Sequence, residues 1–212
     1  MAIRKKDWEQ ANPGKPAGES GRAMVRRMND SHRPLRDWAF SYVNWMPGMR
    51  ILDVGCGGGA AIADMLQLSE DSVIDGVDYS ADCVAATKET NGALLGTRVF
   101  VQEGNVGSLP YEGEQFDLVT AVETVYFWPD LLQGLKEIFR VLKTGGHIAI
   151  LCEVDGPERM DWEKVNFEIN VYTPVELRKY LHQAGFSQVE YHVLDNGYTM
   201  LYGCRQDSHD GE

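Results

Sequence analysis

The chain has 212 residues, 43% hydrophobic and 25% charged. These are the proportions of a soluble globular protein, and the length favours one domain with appendages, so bulk disorder is excluded. A net charge of −12 argues against nucleic acid, whose phosphates are held by clustered Lys and Arg. No apolar run reaches the ~18 residues of a membrane span. Residues 1–8 lack the apolar stretch and small-residue cleavage site of a secretory signal. The four cysteines, Cys56, Cys83, Cys152 and Cys204, form no CxxC pair. Neither a zinc site nor a disulfide framework is expected, no metal ligand set stands out, and a reducing cytoplasm is the default location.

The charge is uneven. Residues 1–50 carry 10 Lys and Arg against 5 Asp and Glu, and residues 51–212 carry 10 against 27. A solvated basic arm and helix face explains the excess, and steering of an anionic substrate is the alternative.

Residues 1–20, with Asn12-Pro13-Gly14 and Lys15-Pro16-Ala17-Gly18, read as a flexible arm. Residues 22–46 read as helical with a break near Asn29-Asp30-Ser31. In the second piece Leu35, Trp38, Ala39, Tyr42, Val43 and Met46 recur at helical spacing. Residues 21–48 are thus expected to form a helical cap, ended by Pro47-Gly48.

A strand–helix alternation follows over residues 49–212. Strands are expected at 50–54, 73–77, 98–102, 116–121 and 147–152, and helices at 60–68, 81–90 and 131–142. Ser80 suits an N-cap, and Gly145-Gly146 a helix end. Residues 153–173 are irregular and read as an insertion that extends the cap. Thr173-Pro174-Val175-Glu176 has the form of a capping box with proline at the first helical position. Two last strands, 188–194 and 198–204, are joined across Asp195-Asn196-Gly197 as an antiparallel hairpin. The fold class is α/β: a mostly parallel sheet with helices on both faces.

The strongest chemical signal is Asp53-Val54-Gly55-Cys56-Gly57-Gly58-Gly59, between a strand and a helix. Glycines there let the backbone turn sharply and approach a ligand, at the carboxyl ends of the strands where doubly wound sheets bind. The residues also fit a dinucleotide pattern, Gly55-x-Gly57-x-x-Ala60, which keeps a nicotinamide-dependent oxidoreductase in view. Against it stand Asp53 where an apolar residue is usual, the extra Gly58 and Gly59, and the terminal hairpin.

With Gly76-Val77-Asp78-Tyr79-Ser80, Phe116-Asp117-Leu118-Val119 and Leu142-Lys143-Thr144-Gly145-Gly146, the stretch 49–204 resembles the class I S-adenosylmethionine-dependent methyltransferases of small-molecule type. The resemblance implies a Rossmann-like seven-strand sheet, S-adenosylmethionine as cofactor and S-adenosylhomocysteine as product. It implies that Asp78 accepts the ribose hydroxyls, that Tyr79 covers the adenine and that Asp53 faces the methionine ammonium. Gly55, Cys56, Gly57 and Gly59 would form the backbone cradle. Asn105, with Val106 beside it, stands where the family often has an acid for the adenine amino group, and its side-chain oxygen can still accept. The loop Val122-Glu123-Thr124-Val125-Tyr126-Phe127-Trp128-Pro129 lies where the methyl group should emerge and lacks the Asn/Asp-Pro-Pro-aromatic form that resembles the amino-methylating enzymes of DNA bases and protein glutamine. Glu123 is a candidate for donor or acceptor contact.

His32, Glu123 and Tyr126 are the catalytic candidates, with His32 expected to face inward and a surface or capping role as its alternative. Aromatics in three places, Trp38 with Tyr42, Tyr126 with Trp128, and Trp162 with Phe167 and Tyr172, are expected to converge as a lid. His147, at the far end of its strand, is discounted. The expected function is methyl transfer to a small-molecule acceptor, with a non-catalytic binding module as the other alternative. The sequence does not reveal oligomeric state.

Overall fold

Four runs buried on both faces, at 50–54, 73–78, 116–122 and 147–152, make the centre of the sheet, as parallel strands under two helical layers require. The computed structural model describes residues 12–14, 16, 18–163, 165 and 167–206. The strands are β1 (Arg50–Val54), β2 (Val73–Asp78), β3 (Val99–Glu103), β4 (Phe116–Val122), β5 (Leu142–Cys152), β6 (Ser187–Val193) and β7 (Thr199–Cys204). They lie in the order β3-β2-β1-β4-β5-β7-β6. β1 pairs in parallel with β2 and β4, β2 with β3, and β4 with β5. β7 alone runs against its neighbours, between β5 and β6. The strand order reverses between β1 and β4, and there a crevice opens at the carboxyl ends.

Side-chain alternation along the strands divides the interior into two cores. Leu52, Val54, Val119 and Ile148 pack with Leu135 and Ile138 of α5 (Leu131–Val141) and Leu177 and Leu181 of α6 (Pro174–Ala184). Ile51, Ile74, Leu118 and Ala149 point the other way, onto α2 (Arg33–Ala39) and α3 (Ala60–Leu68). The helix α4 (Ala81–Thr90) connects β2 to β3, and Ser80 caps it by accepting from the Cys83 N–H at 3.4 Å. The capping box is present: Thr173 Oγ1 accepts from the Glu176 N–H, and Glu176 accepts from the Thr173 N–H.

The expected cap is two helices. α1 spans Gly18–Ser31 and α2 follows after His32, with Pro34 in its first turn and a 3-10 turn at Phe40–Tyr42. Helix therefore ends before residue 46. Val43 is extended, and Trp45 folds back so that its Nε1 donates to the Phe40 carbonyl at 2.9 Å. The expected arm over 1–20 lies mostly outside the described residues, but its described end is docked. The Tyr79 hydroxyl donates to the Gly14 carbonyl, Ser80 Oγ donates to the Pro16 carbonyl at 2.9 Å, and the Gly18 N–H donates to Asp82 at 2.8 Å.

β5 begins at Leu142, earlier than expected. Its register against β4 jumps between Phe116↔Leu142 and Leu118↔His147, and Gly145 at φ +78° takes up the excursion rather than ending a helix. Within the described residues, no helix is long and apolar enough to cross a membrane.

Candidate active site

After Val54 the chain must leave β1, turn over the sheet edge and enter α3. Gly55 at φ +72° and Gly57 at φ +53° make that turn in the left-handed region that side chains avoid. A Cβ at Gly55 would lie 2.1 Å from Thr124 Oγ1, so the loop packs directly on the segment after β4. A Cβ at Gly57 would meet nothing nearer than the Gly55 carbonyl oxygen at 3.9 Å. That side of the loop faces open space, the requirement for a close-approaching ligand. The loop is fixed from outside. Gly55 N–H donates to the Val77 carbonyl at 2.8 Å, Thr87 Oγ1 to the Gly57 carbonyl at 2.9 Å, and Thr90 Oγ1 to the Gly58 carbonyl at 2.7 Å.

The loop borders a cavity of about 350 Å³, within the range of small-ligand sites. Asp53, Cys56, Asp78, Tyr79, Asn105 and Glu123 all line it. At one end, Asp78 finishes β2. One carboxylate oxygen accepts from the Gly57 N–H at 3.0 Å and the other from the Ser80 N–H at 2.9 Å. Burial raises its carboxyl above the usual range and these N–H bonds oppose the rise. Each oxygen keeps a further lone pair for a ligand hydroxyl. Asp53 is 1% exposed and accepts from Thr120 Oγ1 at 2.7 Å. Burial pushes its carboxyl up to about 6, against the pull of the Thr120 bond and of Arg36.

The other end is built by β4, β5 and the α1–α2 junction. Glu123 follows β4 at φ +55°, unusual for a residue with a side chain, and its N–H continues the ladder to the Leu151 carbonyl at 2.9 Å. Its Oε1 accepts from the Tyr126 hydroxyl at 3.1 Å and from the Glu153 N–H. Burial, and then the neighbouring Glu153, push the Glu123 carboxyl up to about 8. His32 lines the cavity, as expected, with Nε2 3.8 Å from Glu153 Oε2. Burial, with Arg36 and Arg27 nearby, lowers its pKa to about 4, so the ring is neutral. Sequence reading missed Glu153. Only the adjacency of β4 and β5, with Val122 opposite Leu151, brings it beside Glu123.

Several expectations change. The three aromatic groups do not converge. Trp38 and Tyr42 pack with each other and lie against Tyr198 and His192 of the β6–β7 region. Tyr126 and Trp128 are core residues, and Trp162 is half exposed. Phe167 meets Phe127 at 6.2 Å, whereas Tyr172 meets Tyr180. α2 is mostly core and touches the cavity through Arg36, whereas α1 reaches it through Val25, Met28 and Asn29. Asn105 and Val106 both keep their place on the cavity wall; the Asn105 side chain also accepts from the Gly107 N–H at 2.8 Å, and Gly134 packs close to Val106. The Cys56 thiol turns inward to Thr87 at 3.4 Å, and burial holds its pKa high. His147, discounted from the sequence, stacks on Tyr202 and is not among the residues that line the cavity.

Residues 52–150 match the family model described as a methyltransferase domain. The chain superposes on a structure of an S-adenosylmethionine-dependent methyltransferase from Aquifex aeolicus with a TM-score of 0.73 at 19% identity, covering 87% of this chain and 98% of that one. The fold is the one shared by that methyltransferase structure, and the matched stretch carries the glycine loop, Asp78 and Glu123. A second fold neighbour comes from the complex between the Haloferax volcanii Trm112 methyltransferase activator and the putative methyltransferase. Its TM-score is 0.79 at 20% identity, over 89% of this chain and 95% of that one. In sequence, the chain is 36% identical over 121 residues to the demethylmenaquinone methyltransferase of Bacillus mycoides (strain KBAB4), covering 57% of this chain and 51% of the relative. The chain spans about half the length of the curated relatives it matches.

Proposed function

We propose that this chain transfers a methyl group from S-adenosylmethionine to a small-molecule acceptor held beside Glu123 and His32. The observation that carries the reading is Asp78, fixed by the Gly57 and Ser80 N–H groups at the rim of a cavity that runs past Gly57 to Glu123. The fit of the donor is supported by the free space over Gly57 and by two buried carboxylates placed for a polyhydroxylated, cationic ligand. Bound donor would supply an activated methyl on a sulfonium.

Asp78 accepts the two ribose hydroxyls. Asp53 offers its charge to the amino-acid end. The N-terminal residues Pro13, Gly14 and Pro16 and the helix α1 narrow the opening to water. The acceptor atom must sit about 3–3.5 Å from the methyl carbon with its line of attack open. An acceptor that carries a proton needs a base. Glu123 in its ionised form takes that proton, with the Tyr126 hydroxyl bonded to the same oxygen and holding it in place. The acidic net charge supports a partner other than nucleic acid. Four free buried cysteines support a reducing cytoplasm. The name of the relative described above supports a small-molecule acceptor.

Purified protein incubated with methyl-labelled S-adenosylmethionine and a small-metabolite extract is expected to yield a labelled product by mass analysis. Binding of S-adenosylhomocysteine without any labelled product would make the chain a binding module. Displacement of that ligand by a nicotinamide dinucleotide would favour the oxidoreductase.

A further inference from the structure

Glu153 has no part in donor binding or proton transfer as set out above, yet it stands with His32 and Glu123, which line the acceptor end of the cavity. We propose that His32, Glu123 and Glu153 bind one divalent cation of the Mn²⁺–Zn²⁺ series at the acceptor end of the cavity.

The three side chains come from separate elements: the α1–α2 junction, the end of β4 and the end of β5. One ligand atom from each lies within 4.8 Å of the others, and the His32–Glu153 pair is at 3.8 Å. Donors bound about 2.1 Å from one ion stand roughly 3–4 Å apart, so the widest separation in the cluster has to close by roughly 1–2 Å. Two carboxylates balance the charge of a divalent ion. A nitrogen with two oxygens favours transition ions over Mg²⁺ or Ca²⁺, which prefer all-oxygen shells.

The support around the ligands is that of a metal site. Tyr126 and the Glu153 N–H both donate to Glu123 Oε1, which fixes the carboxylate and gives the metal bond to its other oxygen. Three protein ligands leave positions open, and His32 and Glu123 line the cavity, so the open positions face the acceptor. There the ion would hold an acceptor oxygen next to the methyl donor. That last role rests on the proposed function; cation binding itself does not.

The test uses the full chain, stripped with chelator and titrated with MnCl2 while free Mn²⁺ is followed by electron paramagnetic resonance. S-adenosylhomocysteine affinity is measured on the same samples. The expected result is one Mn²⁺ per chain, with affinity reduced at least roughly tenfold in both Glu153→Gln and His32→Ala, and competition by Zn²⁺. Circular dichroism verifies that each variant is folded; Glu153→Ala replaces Glu153→Gln, and His32→Phe replaces His32→Ala, where the first choice is not. Absence of saturable Mn²⁺ binding, or an unchanged affinity in either folded variant, overturns the site. Retained S-adenosylhomocysteine binding in that case leaves the donor reading intact, whereas its loss would count against that reading separately.

Discussion

Asp53→Asn should make the ligand-free protein more stable while weakening donor binding. Burial raises the Asp53 carboxyl from 3.8 to about 6. A rise of about two pH units corresponds to roughly 3 kcal/mol. The sign follows from the protons bound. Between pH about 4 and about 6 the folded chain holds a proton on Asp53 that the unfolded chain has released, so stability falls as pH rises through that window. The full cost is present at pH 7. Asparagine keeps the shape and an oxygen for the 2.7 Å bond from Thr120, and it removes the buried charge. Its amide hydrogens need partners, so the gain is expected at about 1–3 kcal/mol, or about 2–4 °C in Tm for each kcal/mol. Urea unfolding of both proteins at pH 7 and at about pH 4 measures it. The advantage of Asp53→Asn should be present at pH 7 and shrink towards zero at the lower pH. A variant less stable than the parent at pH 7, or a pH-independent difference, would refute the reasoning.

Gly57→Ala should fold, at a cost of about 1–2 kcal/mol for an alanine at φ +53°, and should lose S-adenosylhomocysteine binding because the added methyl enters the space reserved for the donor; normal binding would remove the loop from the site. Amide exchange across residues 22–32 should slow when S-adenosylhomocysteine binds, since Asn29 of α1 donates to the Gly58 carbonyl at 3.1 Å. Exchange in this segment that is slow with and without ligand would make α1 a static wall.

What was legible in the sequence was local. The helix over Ala60–Leu68, the Ser80 cap and the Thr173–Glu176 capping box depend on residues within a few positions of one another, and each formed where expected. The glycine loop and Asp78 could be read for the same reason. The early start of β5 could not, because it depends on a register jump against β4, a non-local pairing. The aromatic spacing on α2 announced a buried face but not which surface would cover it, and the partners proved to be Tyr198 and His192 rather than the insertion. Glu153 carried no signal at all. Its place beside Glu123 comes from two strands 30 residues apart in sequence lying side by side.

The central claim is that Asp78 anchors the methyl donor at the end of β2. Isothermal titration of S-adenosylhomocysteine into the parent protein and into Asp78→Ala tests it. Charged hydrogen bonds contribute about 1.5–3 kcal/mol each, so the account predicts a loss of affinity of at least tenfold in a variant whose circular dichroism is unchanged. Equal affinity in a folded Asp78→Ala protein would contradict the account.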